Sequence, residues 1–120
     1  MNRYLLAGLT SDLLRGHTTV VLASEHYCGL LSGALATHLE EAAGARQGDV
    51  HYIATNSQQE VRVPGTDGQV LFRSPTTSLR GLVPEVLVVH SSVRRLPAVW
   101  AGLRPTISEL AARGSEVIQL

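Results

Sequence analysis

Apolar residues along this chain change their spacing several times, and each spacing predicts a different element. Residues 2 to 15 carry leucine at positions 5, 6, 9 and 13, which is helical spacing, and Gly16 follows as a helix stop. The short run TTVVLA, residues 18 to 23, is rich in β-branched residues and typical of a strand buried on both faces. After SEHYCG, apolar residues at 31, 34, 35 and 39 predict an amphipathic helix that ends at Gly44.

The middle of the chain alternates apolar and polar residues, which predicts two or three antiparallel strands with one polar face. The alternating positions are Val50, Tyr52 and Ala54, then Val61 and Val63, and then Val70 and Phe72. The segment PGTDG, residues 64 to 68, is a strong turn signal between the second and third of these runs. Residues 74 to 81 are predicted to form a loop.

The last third of the chain predicts a buried strand, helical segments and a final strand. Val86 to Val89 form a continuous β-branched and apolar run, and a helical pattern extends from about 96 to 112. Pro105 is expected to begin a fresh helix, because proline suits the first helical turn. Gly114 should close that helix, and residues 117 to 120 should form the last strand.

The order of elements is therefore α, β, α, β-meander, β, α, β. Strands separated by helices predict a three-layer α/β domain in which a mixed sheet has parallel central strands and helices on both sides. The meander is then an antiparallel hairpin insertion. A length of 120 residues suits one such domain, covering residues 1 to 120.

Composition adds an aliphatic core and a neutral surface to this prediction. Hydrophobic residues make up 44% of the chain and aromatic residues 4%, while ten acidic residues balance ten basic ones. Nothing in this balance favours nucleic acid or an anionic membrane. No apolar run approaches the ~20 residues of a membrane span, and no secretory signal is evident. Cys28 is the single cysteine, so no intrachain disulfide is possible, and we expect a cytoplasmic protein.

The basic residues are all arginine, and the chain contains no lysine. A phosphate-binding loop of the GxxxxGK[ST] type uses its lysine to reach the β- and γ-phosphates. Neither that lysine nor that glycine spacing occurs here. Because the sequence contains no lysine, it also has no residue for lysine chemistry such as Schiff-base formation.

The stretch PEVLVVHSS, residues 84 to 92, is the most informative segment for function. A buried strand that ends abruptly in polar residues is where α/β proteins usually bind ligands. Many nucleotide hydrolases carry two carboxylates at that position. This chain carries His90, Ser91 and Ser92 instead.

Together with its flanking segments, this stretch resembles a known family. The segments are TTVVLAS, an amphipathic helix, TNSQQEVRVPGTDGQVLFRSP, SLRGLVPEVLVVHSS, WAGLRPTISEL and SEVIQL. Their succession over residues 18 to 120 resembles the ATPase core of bacteriophage terminase large subunits, which has a RecA-like P-loop fold. The family's Arg-Gly pair corresponds to Arg80-Gly81, and its Asp-Glu-Ala positions correspond to His90, Ser91 and Ser92.

The departures from the family bear on activity. In the family the Asp holds Mg²⁺ and the Glu positions the attacking water. His90 and Ser91 occupy the corresponding Walker B position here, which is degenerate because neither residue carries negative charge. The family's phosphate loop with its strand, and its nuclease domain, have no counterpart in this sequence. The resemblance therefore implies a truncated, phage-type pseudoenzyme in a bacterial host cell. No catalytic residue, nucleotide site, metal or cofactor is expected.

The resemblance also implies where a partner would bind. The strand at 86–89 should lie between the strand at 18–23 and the last strand, which would leave one edge of the last strand unpaired. An open edge is a template for pairing. We therefore expect a homodimer through Val117, Ile118, Gln119 and Leu120, with a phage or host protein as another candidate partner at that edge.

A different class of function stays open at the polar edge of the sheet. A small ligand-binding or metal-binding domain, or a minimal enzyme, would use Ser24, Glu25, His26, His90 and Ser91. Because neighbouring residues on a strand point to opposite faces, His90 and Ser91 are poorly placed to share a proton, and a helix-capping loop is favoured. His26, Cys28 and His90 form an incomplete metal set, so packing or surface roles are favoured for them.

Arginine suggests a third function, weak DNA binding. The residues concerned are Arg73, Arg80, Arg94, Arg95 and Arg104. With no net charge and no interleaved aromatic residues, a solvated face is favoured over a DNA surface. Arg80 is the candidate anion or partner contact, because it lies in a loop on the side of the degenerate site. Trp100, near Val99 and Leu103, is predicted to be a core or interface anchor.

Overall fold

The computed structural model describes residues 3–42, 51–55, 58–63, 66–75 and 83–120. No helix within these ranges is both long and apolar enough to cross a membrane. The elements, in chain order, are α1 (Arg3–Leu14), β1 (Thr18–Leu22), α2 (Glu25–Ala42), β2 (His51–Thr55), β3 (Gln58–Arg62), β4 (Gln69–Arg73), β5 (Val86–Val89), α3 (Ser91–Arg94), α4 (Pro97–Ala112) and β6 (Glu116–Gln119).

The strands form a single sheet in the order β2-β3-β4-β1-β5-β6. β1 runs parallel to both β4 and β5, and β5 runs parallel to β6. β3 is antiparallel to β2 and β4, so the predicted meander is present as an insertion on one side. The fold class predicted from the sequence is confirmed, and β5 lies between β1 and β6 as expected.

Helices cover both faces of the sheet and create two cores. On one face, α1 and α2 pack against β1, β3, β4 and β5, with Leu13, Leu35 and Phe72 fully buried. On the other face, α3 and α4 contribute Val93, Ile107 and Leu110 to a second cluster. Trp100 packs against this second cluster, as predicted. The alternating side chains of β1 enter both cores, which is why that strand has no polar face.

The stops predicted at Gly16 and Gly114 are confirmed by their backbone conformation. Both residues have positive φ, 81° and 101° respectively, which costs glycine little because it has no Cβ. After α4, the amide of Ser115 donates to the carbonyl of Leu110 at 3.1 Å and closes the helix end.

The predicted start of α2 is wrong. The helix begins at Glu25, so most of SEHYCG is helical rather than a loop. The amide of Cys28 donates to the carbonyl of Ser24 at 2.9 Å, which closes the first turn. An acidic residue there is favoured by the helix dipole. The predicted end at Gly44, the turn residues Pro64 and Gly65, and residues 76–81 of the predicted loop lie outside the described residues.

The predicted break at Pro105 is also wrong. α4 is one continuous helix in which Pro97 occupies the first turn and Pro105 lies in the interior. Pro105 lacks the N–H that would bond the carbonyl of Ala101, and its ring crowds that carbonyl. Burial of Ile107 and Leu110 on the same helix offsets this cost.

Replacing Pro105 with alanine should therefore stabilise the protein. Restoring the missing hydrogen bond should raise the free energy of unfolding by about 2 kcal/mol, after allowance for the greater entropy of the unfolded chain. Pro97→Ala is the matched control, because its N–H would have no helical partner, and it should change stability by less than about 0.5 kcal/mol. Urea unfolding monitored by circular dichroism measures both. Equal effects of the two substitutions would contradict this account of α4.

Candidate functional site

Polar residues gather where β1 and β5 end. Because parallel strands end at the same edge of a sheet, Ser24 after β1 and His90, Ser91 and Ser92 after β5 come together. The amide of His90 donates to the carbonyl of Leu22 at 2.9 Å, which extends the ladder between the two strands to this edge. Ser24, His90 and Ser91 were predicted to lie at this edge, and the structure brings the two segments together.

His90 caps the helix that follows β5. Its backbone is extended, with φ −75° and ψ 148°, and its Nδ1 accepts a hydrogen bond from the amide of Ser92 at 3.1 Å. That bond satisfies one of the amides left free at the start of α3. The helix-capping interpretation of this segment is confirmed.

Ser92, rather than Ser91, is the serine that contacts the imidazole. Its Oγ lies 2.8 Å from Nδ1 of His90, and it accepts a hydrogen bond from the amide of Ser24 at 3.0 Å. A backbone amide can only donate, so Nδ1 is the unprotonated nitrogen and the Ser92 hydroxyl also donates to it. The neutral ring then carries its proton on Nε2. This short chain of hydrogen bonds joins the end of β1 to the start of α3.

Tyr27 packs against the imidazole of His90, and His26 packs in turn against Tyr27. The rings of Tyr27 and His90 are tilted by 38° with centroids 4.8 Å apart, and His26 meets Tyr27 edge-on at 5.5 Å. Burial lowers the pKa of His90 below 6.5, and the positive charge of Arg95 lowers it further. The neutral ring is therefore favoured, in agreement with the acceptor role of Nδ1.

The three residues considered as metal ligands do not form a metal site. Cys28 is fully buried, its thiol donates to the carbonyl of Ala23 at 3.4 Å, and burial raises its pKa to about 11. A thiol held in this way is a poor metal ligand, because the thiolate is the binding form. His26 is exposed. Among the described residues, no cluster of three or more histidine, cysteine, aspartate or glutamate side chains could hold a metal ion.

The described arginines of the candidate DNA surface differ in burial. Arg73 is buried in β4, where it donates to the carbonyls of Gln59 and Phe72 and pairs with Glu60 at 3.3 Å. Its assignment to a solvated face is therefore wrong, because Glu60 and two carbonyls satisfy the guanidinium inside the sheet. Arg94, Arg95 and Arg104 are exposed, and Nη1 of Arg94 donates to the carbonyl of Leu120 at 2.6 Å. Arg80 lies outside the described residues.

An open apolar cleft adjoins the imidazole. It has a volume of about 450 Å³ and lies between α1, α2 and the end of β6. Its lining consists of Leu5, Tyr27, Leu30, Leu31, Ala34, His90 and Leu120. No local sequence pattern predicts it, because four separate parts of the chain supply its walls. Tyr27 and Ser92 were not predicted as site residues either. For Ser92 a local signal exists, because a serine two residues after a strand-terminal histidine fits the first turn of a capped helix.

Comparison with known proteins identifies the fold. No protein-family model matches the sequence, and no curated protein matches it. Among solved structures, the chain is similar to the Thermus phage P74-26 large terminase ATPase domain, with a TM-score of 0.54 and 16% sequence identity. The likeness covers 93% of this chain and 50% of that one, so the chain spans half the length of the protein it matches. The chain therefore has the fold of a terminase ATPase domain.

The end of β5 presents histidine and serine side chains to this edge of the sheet. The end of β5 offers a neutral imidazole held by Ser92 and Tyr27, and it offers no carboxylate. Oxygen ligands for Mg²⁺ come mainly from carboxylates and phosphates. What the arrangement does provide is an oriented hydrogen-bond donor beside an apolar cleft.

The histidine cap should make stability depend on pH. Because the pKa of His90 is lower in the folded protein than in the unfolded chain, its contribution is complete above about pH 6.5 and is lost as pH falls toward the folded pKa. His90→Asn keeps a capping acceptor and removes the titration, so the loss of stability between pH 7 and pH 5 should be smaller. His90→Ala should also cost about 1 kcal/mol at pH 7.5, because the cap is lost. Urea unfolding at several pH values measures these changes, and an unchanged pH slope in His90→Asn would contradict the assignment.

Proposed function

We propose that the protein is a phage-type, non-hydrolytic relative of the terminase ATPase fold that works by self-association through β6 in the cytoplasm of a bacterial host. The observation that carries this proposal is the open edge of β6, the last strand in the order of the sheet. An unpaired edge presents free backbone donors and acceptors to another chain.

The hydrogen bonds between β5 and β6 identify which backbone groups are free. The amide of Glu116 donates to the carbonyl of Glu85, just before β5, at 2.9 Å, and the amide of Leu120 donates to the carbonyl of Val89 at 3.0 Å. Since backbone groups alternate in direction along a strand, those of Val117 and Gln119 face away from β5. No strand among the described residues pairs with them. The edge therefore offers two residues whose N–H and C=O groups point outward.

A second copy of the chain fits this edge in antiparallel orientation. Pairing about Ile118 would bring Val117 opposite the partner's Gln119, so that both residues exchange hydrogen bonds. Glu116 would then lie opposite the partner's Leu120, next to the partner's Arg94, with opposite charges facing each other. Ile118 is 36% exposed, and twofold symmetry would place its side chain opposite that of the partner's Ile118.

The non-hydrolytic part of the proposal is supported by the end of β5. Phosphoryl transfer requires groups that hold the metal and orient the attacking water. At the corresponding position this chain has His90, whose Nδ1 is occupied by Ser92, and Ser91, which begins a one-turn helix. Neither residue supplies negative charge for Mg²⁺.

A proline placed at an outward-facing amide tests the dimer. Gln119→Pro removes one N–H from the open edge but none that bonds to β5, so the fold should persist while dimerisation weakens by at least about tenfold. Gln119→Thr is the matched control and should remain dimeric. Sedimentation velocity over a range of concentrations measures both. A monomeric wild-type protein at high concentration, or equal dimerisation by both variants, would refute self-association through β6.

The non-hydrolytic assignment predicts no response to nucleotide. The melting temperature of the purified chain should not rise with ATP and Mg²⁺, because binding to the native state would stabilise it in proportion to ligand concentration. A colorimetric phosphate assay should detect no turnover above a protein-free blank. Genuine ATP hydrolysis that persists through a second purification would overturn the assignment, while leaving the dimer to be judged separately.

A further inference from the structure

The cleft beside His90 has the size and lining of a small-molecule site. Its volume of about 450 Å³ falls in the range of ligand pockets, and its walls are largely aliphatic. A smaller cavity of about 190 Å³ shares Leu5 and Leu120 with it and continues along α1 to Val88 and Ile118. The two cavities adjoin at these shared residues, and His90 lines the first while Asp12 lines the second.

The polar group in the lining of the first cavity is a donor with a fixed orientation. Nδ1 of His90 is occupied by the amide and hydroxyl of Ser92, so the remaining polar atom of the ring is Nε2–H. Within the described residues, no hydrogen bond involves Nε2. Tyr27 packs against the ring and also lines the cleft, so the imidazole is held in place before any ligand arrives. A preorganised donor in an apolar wall favours a ligand that brings an acceptor.

The charges around the cleft indicate the sign of that acceptor. Arg94 donates to the carbonyl of Leu120, which lines both cavities, so a guanidinium lies beside the region where they adjoin. The positive charge of Arg95 acts on His90. Asp12 lines the smaller cavity, 3.4 Å from Nδ1 of His17. The part of the cleft near His90 therefore favours an anion, and the part near Asp12 disfavours a second negative charge on the same ligand.

We propose that this cleft binds an amphipathic monocarboxylate, with the carboxylate accepting a hydrogen bond from Nε2 of His90 and the aliphatic tail lying along Leu5 and Leu30. The proposal goes beyond self-association, because the cleft lies on one face of the sheet while the β6 pairing groups lie in its plane.

Calorimetric titration with four C8 compounds tests the chemistry of the site. Octanoate should bind, octanol should bind about tenfold more weakly because it loses the charge-assisted hydrogen bond, and octylammonium should bind more weakly still. Suberate, a dicarboxylate of the same length, should also bind more weakly than octanoate, because its second charge meets the part of the cleft near Asp12. No heat with millimolar octanoate, or equal affinity for octanoate and octylammonium, would overturn the proposal.

Three variants locate the binding within the cleft. His90→Asn keeps the helix cap but removes the ring, and should weaken octanoate binding about tenfold. Leu30→Gln removes an apolar wall residue that is 55% exposed, and should weaken binding several-fold without loss of the fold. Leu14→Gln is the matched control, since Leu14 is 52% exposed on α1 and lies outside the cleft lining. Loss of binding in Leu14→Gln, or unchanged binding in Leu30→Gln, would place the ligand elsewhere.

The monomeric variant Gln119→Pro separates this site from the dimer. If octanoate binds equally to wild type and Gln119→Pro, the cleft functions within one chain, as proposed. If binding disappears in Gln119→Pro while that variant remains folded, the ligand requires the paired state, and the single-chain site is refuted.

Discussion

The structure depends most on β1, a five-residue strand whose two edges and two faces are all occupied. Its backbone pairs in parallel with β4 on one side and β5 on the other, and its residues from Thr19 to Leu22 are buried. A strand in this position cannot shift by one residue without moving every side chain into the wrong core. β1 therefore fixes the register of β4 and β5, and with them the positions of the residues that follow each strand.

This constraint explains why the candidate site lies where it does. Beyond the ends of the strands, backbone amides still require partners. The amide of Ala23 bonds to the carbonyl of Arg73, that of Ser24 bonds to Ser92 Oγ, and that of His90 bonds to the carbonyl of Leu22. Ser92 and His90 are thus part of the hydrogen bonding that closes the sheet. A consequence is that the imidazole is held in one tautomer and one orientation, beside a cleft.

Much of the fold could be predicted because buried parallel strands have a strong local signature. The β-branched runs at β1 and β5, and glycines with positive φ after α1 and α4, are visible without tertiary information. The start of α2 was missed because its first turn carries exposed Glu25 and His26, so no apolar period marks it. Pro105 was misinterpreted because local propensity disfavours it, whereas packing of the helix on the sheet tolerates it.

The site was harder to predict than the fold because its contacts are not periodic. Neighbouring residues of a strand point to opposite faces, and this correctly predicts that the His90 ring does not hydrogen-bond to Ser91. The alternation ends where β5 gives way to α3, and Ser92 then contacts the imidazole. Arg73 was wrongly predicted to face solvent, because a charged residue on a strand is expected to be exposed unless a buried partner for it is known. Here the partner is Glu60 on the neighbouring strand, and neighbouring strands are assigned only by the tertiary structure.

The two proposed uses of β6 follow from the perpendicular directions of backbone and side chains in a strand. Outward backbone groups of Val117 and Gln119 lie in the plane of the sheet, whereas Ile118 and Leu120 project from one face toward the cleft. Pairing with a second chain would therefore rely chiefly on backbone groups of this C-terminal segment, and ligand binding would rely on its side chains. At the end of β5, the proposed site combines a neutral imidazole with the positive charge of Arg95, which would favour an anion, whereas a pair of carboxylates would favour a cation. On this proposal, the residues at one strand end decide the kind of ligand, and the sheet only positions them.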